Sequence, residues 1–168
     1  GNADPNGSTA PTVRMAVLAS GSLSSAVGPA TPSDHAVYWG QTGDNIGSWR
    51  FSATDEGFNI EKMQFQVVTA AERTDATNNI KALYIEYKNK GGTTVTQSST
   101  LNAVASVAFG FTGDSRPYVP KGGSLDVTMK ADFKTKAEGA RSASESTDQF
   151  NFSFVGNTGI GTNTFKAV

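Results

Sequence analysis

The chain has no cysteine, which excludes disulfide staples, thiolate metal sites and cysteine nucleophiles together. That absence also argues against a small eukaryotic extracellular domain, a class commonly stapled by disulfides. Histidine is nearly absent too. His35 stands alone, so a histidine metal triad is impossible and a Ser-His-Asp arrangement would have to use this residue. Charge is sparse, at 17% of residues, with 14 Lys plus Arg against 15 Asp plus Glu. A net charge of −1 provides neither an electrostatic footprint for nucleic acid nor a polybasic patch for a membrane surface. No apolar run reaches the roughly 18 residues of a membrane-spanning helix. Walker, dinucleotide-fingerprint, HExxH and EF-hand patterns are missing, as are internal repeats and any sustained 3.6-residue period. A first residue of glycine fits a cleaved leader or a residual tag equally.

What is present is period-2 alternation. In Ser48 to Ala53, Trp49, Phe51 and Ala53 share one face while Ser48, Arg50 and Ser52 share the other, as in a half-buried strand. Thr54-Asp55-Glu56-Gly57 supplies turn chemistry. The next arm starts with Phe58 and Ile60 on one face, but Met63, Phe65 and Val67 continue on the opposite parity. To keep its core face the chain must absorb one extra residue, which predicts a β-bulge at Glu61-Lys62. Two such arms need a second sheet to cover them.

Further strands are expected at Ala36 to Trp39, Ile80 to Lys88, Thr93 to Gln97, Val107 to Phe111, Leu125 to Phe133 and Phe150 to Phe154. Asn89-Lys90-Gly91-Gly92 marks a hairpin between two of them. Ala70 to Asn79 is polar and predicts at most one helical turn, at Ala70 to Arg73. With turn signals every ten or so residues, the pattern is that of an all-β, antiparallel β-sandwich, with Ig-like and jelly-roll orders both open. Phe51, Phe65, Val127 and Phe152 are its expected core. Residues 35–155 form the sandwich in this reading, 156–168 a Gly/Asn/Thr tail, and 1–34 a leader whose first eleven residues have the composition of an unstructured segment.

Within that leader, Thr12 to Ala19 alternates again, with Val13, Met15 and Val17 against Arg14 and Ala16, and Leu18 following. Ser20 to Asp34 is rich in Ser, Gly and Pro and reads as a tether of about 15 residues, spanning up to ~50 Å when extended. A strand on such a tether can pair within its own domain or add to an edge of another copy. Burying Val13, Met15 and Val17 would contribute on the order of 5 kcal/mol.

Candidates for chemistry are few. Asp34 and His35 are the only pair from which a hydrolase could be built, and an exposed loop histidine is the plainer reading. Asp44, Asp55, Glu56, Asp75 and Asp114 fall in expected loops, where their oxygens could meet around Ca²⁺, although Asp is also simply a good turn residue. Asn6 and Asn151 head glycosylation sequons. Trp39, Tyr84 and Tyr87 fit either an aromatic carbohydrate platform or ordinary cross-strand packing.

The segment Trp-Arg-Phe-Ser-Ala-Thr-Asp-Glu-Gly-Phe-Asn-Ile-Glu-Lys-Met-Gln-Phe-Gln-Val (49–67), followed by Val-Pro-Lys-Gly-Gly-Ser-Leu-Asp-Val-Thr-Met-Lys-Ala-Asp-Phe (119–133), resembles the β-sandwich modules of prokaryotic cell-surface and S-layer-like proteins over roughly residues 36–155. The resemblance implies secretion and a structural or adhesive role, with no catalytic residues to carry over. In plan, a lone sandwich preceded by a tethered strand is similar to extracellular filament and tube subunits that exchange strands. The sequence thus leads to the expectation of a non-enzymatic, extracellular or cell-surface subunit whose partners are other copies of itself, joined through Val13, Arg14, Met15, Ala16, Val17 and Leu18. A carbohydrate-binding or adhesin module is the alternative.

Overall fold

The computed structural model describes residues 21–67, 69–139, 152–154 and 164–167, the last two segments as backbone. The chain is an all-β sandwich of two antiparallel sheets. One has the order β1 (Leu23–Val27), β2 (Asp44–Ala53), β8 (Ser124–Phe133), β4 (Ile80–Lys88), β5 (Thr94–Ser99). The other is built on β3 (Phe58–Val67). On one flank of β3 lie β6 (Ser106–Gly110) and β7 (Tyr118–Val119), and on the other β9 (Phe152–Phe154) and β10 (Thr164–Ala167).

The stretch from Asp44 to Val67 ties the two sheets together. Its arms, β2 and β3, belong to different sheets, so Thr54 to Gly57 is a corner that carries the chain from one layer to the other. Asp55 takes a left-handed φ of 60° there, a conformation that Asp tolerates better than most residues. Across the interior the arms meet through Trp49 and Phe65, whose ring centroids lie 4.5 Å apart. Phe109 packs edge-on against Phe65 at 6.2 Å. The expected bulge is present. Lys62 faces Thr164 and Ile60 faces Phe165, leaving Glu61 as the extra residue. Phe58, Ile60, Met63, Phe65 and Val67 are all buried as a result. Of the four residues expected in the core, Phe51, Phe65 and Val127 are buried, while Phe152 lies on β9, of which only the backbone is described.

Four local expectations need correction. Ala36 to Trp39 is loop, with no strand to pair with among the described residues. Ala70–Asn79 is a full helix, α1, capped by Thr69, whose side chain accepts from the Glu72 amide. The stretch Ser20 to Asp34 contains β1, five residues laddered onto β2 from Leu23↔Ala53 to Val27↔Trp49. The tail provides β10, which pairs with β3. Residues 12–19, the expected tethered strand, lie outside the described residues, and so do Asn6 and Asn151. No helix among the described residues is long and apolar enough to cross a membrane.

Candidate functional site

The two margins of the five-stranded sheet are finished differently. At β5 the inward positions include Gln97 and Ser99, opposite Ile85 and Leu83. The Gln97 amide donates to the Gly110 carbonyl at 2.9 Å and the Ser99 hydroxyl to the Ala108 carbonyl at 3.3 Å. Both carbonyls belong to β6, so side chains sew this margin to the other sheet.

At β1 no such seam exists among the described residues. The Thr54 amide donates to Ser22 O and the Gly28 amide to Ser48 O, so the even-numbered residues from Ser22 to Gly28 exchange bonds with β2. In an antiparallel ladder the alternate residues, Leu23, Ser25 and Val27, then turn their N–H and C=O groups outward. Their side chains share the core-side face with Ala53, Phe51 and Trp49. Leu23 packs partly on the core, but Val27 is 74% exposed.

Though it adds little to the core, β1 is held firmly at both ends. At its start the Ser22 and Thr54 hydroxyls bond at 2.8 Å, and Gly21 lies so close to the corner that a Cβ there would come within 2.5 Å of Thr54 O. At its end Thr31 Oγ1 donates to Ser48 O at 3.0 Å and accepts from Ser48 N at 3.2 Å. Gly28 is buried directly over Ser48, where a Cβ would overlap the Ser48 hydroxyl. The strand itself has no charge, no proline and no break in register, so its own sequence carries none of these devices that guard an exposed edge.

The loop after β1, residues 28–43, is fastened to the start of β2. His35 Nε2 lies 2.7 Å from Asp44 Oδ2 and its Nδ1 3.0 Å from the Ser33 carbonyl. Because both ring nitrogens face acceptors, the Asp44 hydrogen bond, then the Ser33 carbonyl, raise the His35 pKa above its ordinary value. With neither nitrogen free, the imidazole fits a clamp better than a general base, and its hydrogen-bonded partner is Asp44, not Asp34. Gln41 extends the clamp, donating to Asp44 Oδ1 at 2.8 Å and accepting from the Tyr38 amide at 3.0 Å.

The five acids considered for calcium are spread out. Asp44 starts β2, Asp55 and Glu56 share the corner, Asp75 lies on α1 rather than in a loop, and Asp114 sits in a short 3-10 turn, Gly113–Ser115. Among the described residues no three His, Cys, Asp or Glu side chains come together as a cation cage. The three aromatics separate as well. Tyr87 is buried, its hydroxyl donating to Ser115 O, and burial pushes its pKa up to about 12. Tyr84 donates to Asp132 on the outer face of the sheet. Trp39 remains 43% exposed beside Tyr38 at 77%. The edge at Leu23, Ser25 and Val27 was missed from sequence because a Ser-rich run with small side chains resembles a linker. The only signal was the faint alternation of Leu23 and Val27 about Ser25.

No protein-family model matches the chain, and no curated protein sequence matches it.

Proposed function

We propose that this chain is an extracellular structural subunit that self-assembles into a filament, tube or surface layer by donating a β-strand from one copy to the next. The observation that supports this reading most is β1: an uncharged edge strand, clamped at both ends, with the backbone groups of Leu23, Ser25 and Val27 turned outward. A preorganised edge of this kind is what strand addition requires, since main-chain bonds supply affinity and alternate side chains supply register. Head-to-tail addition does not close on itself, so it yields open polymers. The donor is the alternating segment of Val13, Met15 and Val17. Its tether is much shorter than the sequence suggested. Only Ser20 to Ser22 separate it from β1, a span of about 10 Å.

Sedimentation velocity and negative-stain imaging test the proposal on the full chain and on a chain beginning at Gly21. The expected result is large, ordered assemblies from the first and folded monomers from the second. A full chain that stays monomeric at high concentration, or a shortened chain that assembles equally well, overturns it.

A second reading, a carbohydrate-binding or adhesin module, is favoured by one feature, the exposed Tyr38-Trp39 pair on a loop fastened by His35, Gln41 and Asp44. Aromatic faces beside polar groups suit sugar rings. Because Trp49 is buried and Trp39 is not, a change in tryptophan emission on adding soluble oligosaccharides, lost in Trp39→Ala, would support this reading over assembly.

A further inference from the structure

We infer that His35 is a proton-operated fastener for the loop between β1 and β2. It pins residues 32–37 to the start of β2 while both ring nitrogens carry protons, and releases them when one proton is lost. This device stands apart from the proposed assembly and does not depend on it. The loop is held unevenly along its length. Before Pro32, the Thr31 hydroxyl is bonded twice to Ser48, and the Ala30 carbonyl accepts from the Asn45 side-chain amide at 2.8 Å. After Val37, the Tyr38 amide donates to the Gln41 side chain at 3.0 Å. The Gly40 amide donates to Lys134 O at 3.0 Å, and Gln41 O accepts from the Phe133 amide at 2.8 Å. Between these two anchored flanks, the only hydrogen bonds among the described residues are those of the His35 ring. Six residues of chain therefore depend on one side chain.

Keeping both bonds of that ring takes two protons. Nε2 faces the Asp44 carboxylate at 2.7 Å and Nδ1 faces the Ser33 carbonyl at 3.0 Å, and neither a carboxylate nor a carbonyl can donate. A neutral imidazole has one N–H and one lone pair. It keeps one of the bonds and sets its lone pair against the other oxygen. Gln41 donates to the second oxygen of Asp44 at 2.8 Å, which holds the carboxylate in place and stops it from adapting to the neutral ring. The Asp44 hydrogen bond, then the Ser33 carbonyl, raise the pKa of the ring above 6.5. The charges that reach it, Asp44 on β2 and Asp34 in the loop, act in the same direction. The fastener is therefore closed in mildly acidic solution and opens as pH rises through the raised value. The flanking bonds join main-chain, hydroxyl and amide groups that do not titrate in this range, so the release stays local.

His35 is the single histidine of the chain, so its protonation can be followed through the pH dependence of its carbethoxylation rate. The Ala36–Val37 bond offers thermolysin a cleavage site inside the fastened segment. Cleavage of the full chain at that bond is measured from about pH 6 to 8.5 and divided by cleavage of a free peptide of residues 31–42, which removes the protease's own pH dependence. The corrected rate should rise roughly two- to fivefold, with the midpoint given by carbethoxylation and lying above 6.5. His35→Gln has no proton to lose, and its corrected rate should be flat. Asp44→Asn should move both midpoints down together. If His35→Gln is cut at many bonds, as a destabilised fold would be, the Asp44→Asn midpoints decide. A flat profile in the unaltered chain overturns the inference, and so does resistance to cleavage at every pH. A midpoint at or below 6.5, or a pH dependence that survives in a folded His35→Gln, overturns it equally.

Discussion

The β1 and β5 strands occupy equivalent places at opposite margins of one sheet, and they solve the edge problem in different ways. The inward positions of β5 are polar where they reach the seam, and Gln97 and Ser99 spend their hydrogen bonds on the carbonyls of β6. The inward positions of β1 are Leu23, Ser25 and Val27, of which only Ser25 is polar and makes no bond to the other sheet among the described residues, and Val27 is left in solvent. The same sheet thus carries one margin tied to the other sheet by side chains and one margin with no such tie among the described residues. What separates them is a handful of side chains, since backbone geometry and strand length are alike.

Both margins hang on a shared interior, and the largest effect should come from disturbing it. Phe65 is fully buried between Trp49 and Phe109, so Phe65→Ala should cost roughly 3–5 kcal/mol in urea unfolding. A neutral result would mean that the two sheets are not joined through this cluster. Next comes the sewn margin. Replacing Gln97 and Ser99 together by Ala removes two partly exposed bonds, at about 1 kcal/mol each. If the seam is what guards β5, the double variant should also gain a concentration-dependent sedimentation species; an unchanged monomer peak would show that β5 is guarded by something else. The open margin should be nearly indifferent. Val27→Ala removes no buried contact, and its effect on stability should lie within about 0.5 kcal/mol, so a loss comparable with Phe65→Ala would show that β1 is part of the core after all.

The smallest effect concerns the loop behind β1. The folded-state pKa of His35 is raised above 6.5, chiefly by its hydrogen bond to Asp44. Its contribution is therefore fully present below pH 6.5 and fades as pH rises through the raised value. The pair is partly exposed, so the amount should stay well under about 1 kcal/mol. A thermal melt of the wild type should fall slightly over that window relative to His35→Gln. Parallel pH profiles would remove the clamp from the account.

Sequence disclosed those parts of the fold whose periodicity is set by burial. The parity switch between Ile60 and Met63 located the Glu61 bulge because a buried face cannot change sides without an extra residue. Leu125 to Phe133 was equally clear, since β8 is central and alternates strictly. What stayed hidden is held from outside. The strand β1 owes its form to the ladder with β2 and to the end clamps at Thr54 and Ser48, none of which is visible in Leu-Ser-Ser-Ala-Val. Val37, Tyr38 and Trp39 have strand-forming side chains but no partner strand among the described residues, and so remain loop. Helix α1 did leave a mark, the Thr69…Glu72 spacing of a capping box, but its weak apolar face concealed it. The candidate edge was thus illegible for the same reason that it stands open: its residues are mostly small, and only Leu23 packs against the core.

The clamps on β1 also decide how the molecule would answer a pull. Gly21 is held against the Thr54–Glu56 corner, and β1 runs antiparallel to β2. Tension applied at Gly21 and resisted at the far, Asp44 end of β2 would load the bonds from Ser22 to Gly28 together in shear, whereas resistance at the Ala53 end would open them one by one. Peeling would part them singly, each at a small force, whereas shear makes them fail as a set. A strand that contributes little to the interior is thus one whose resistance depends on the direction of the pull, and it owes its hold to hydrogen bonds and end clamps more than to the area it buries.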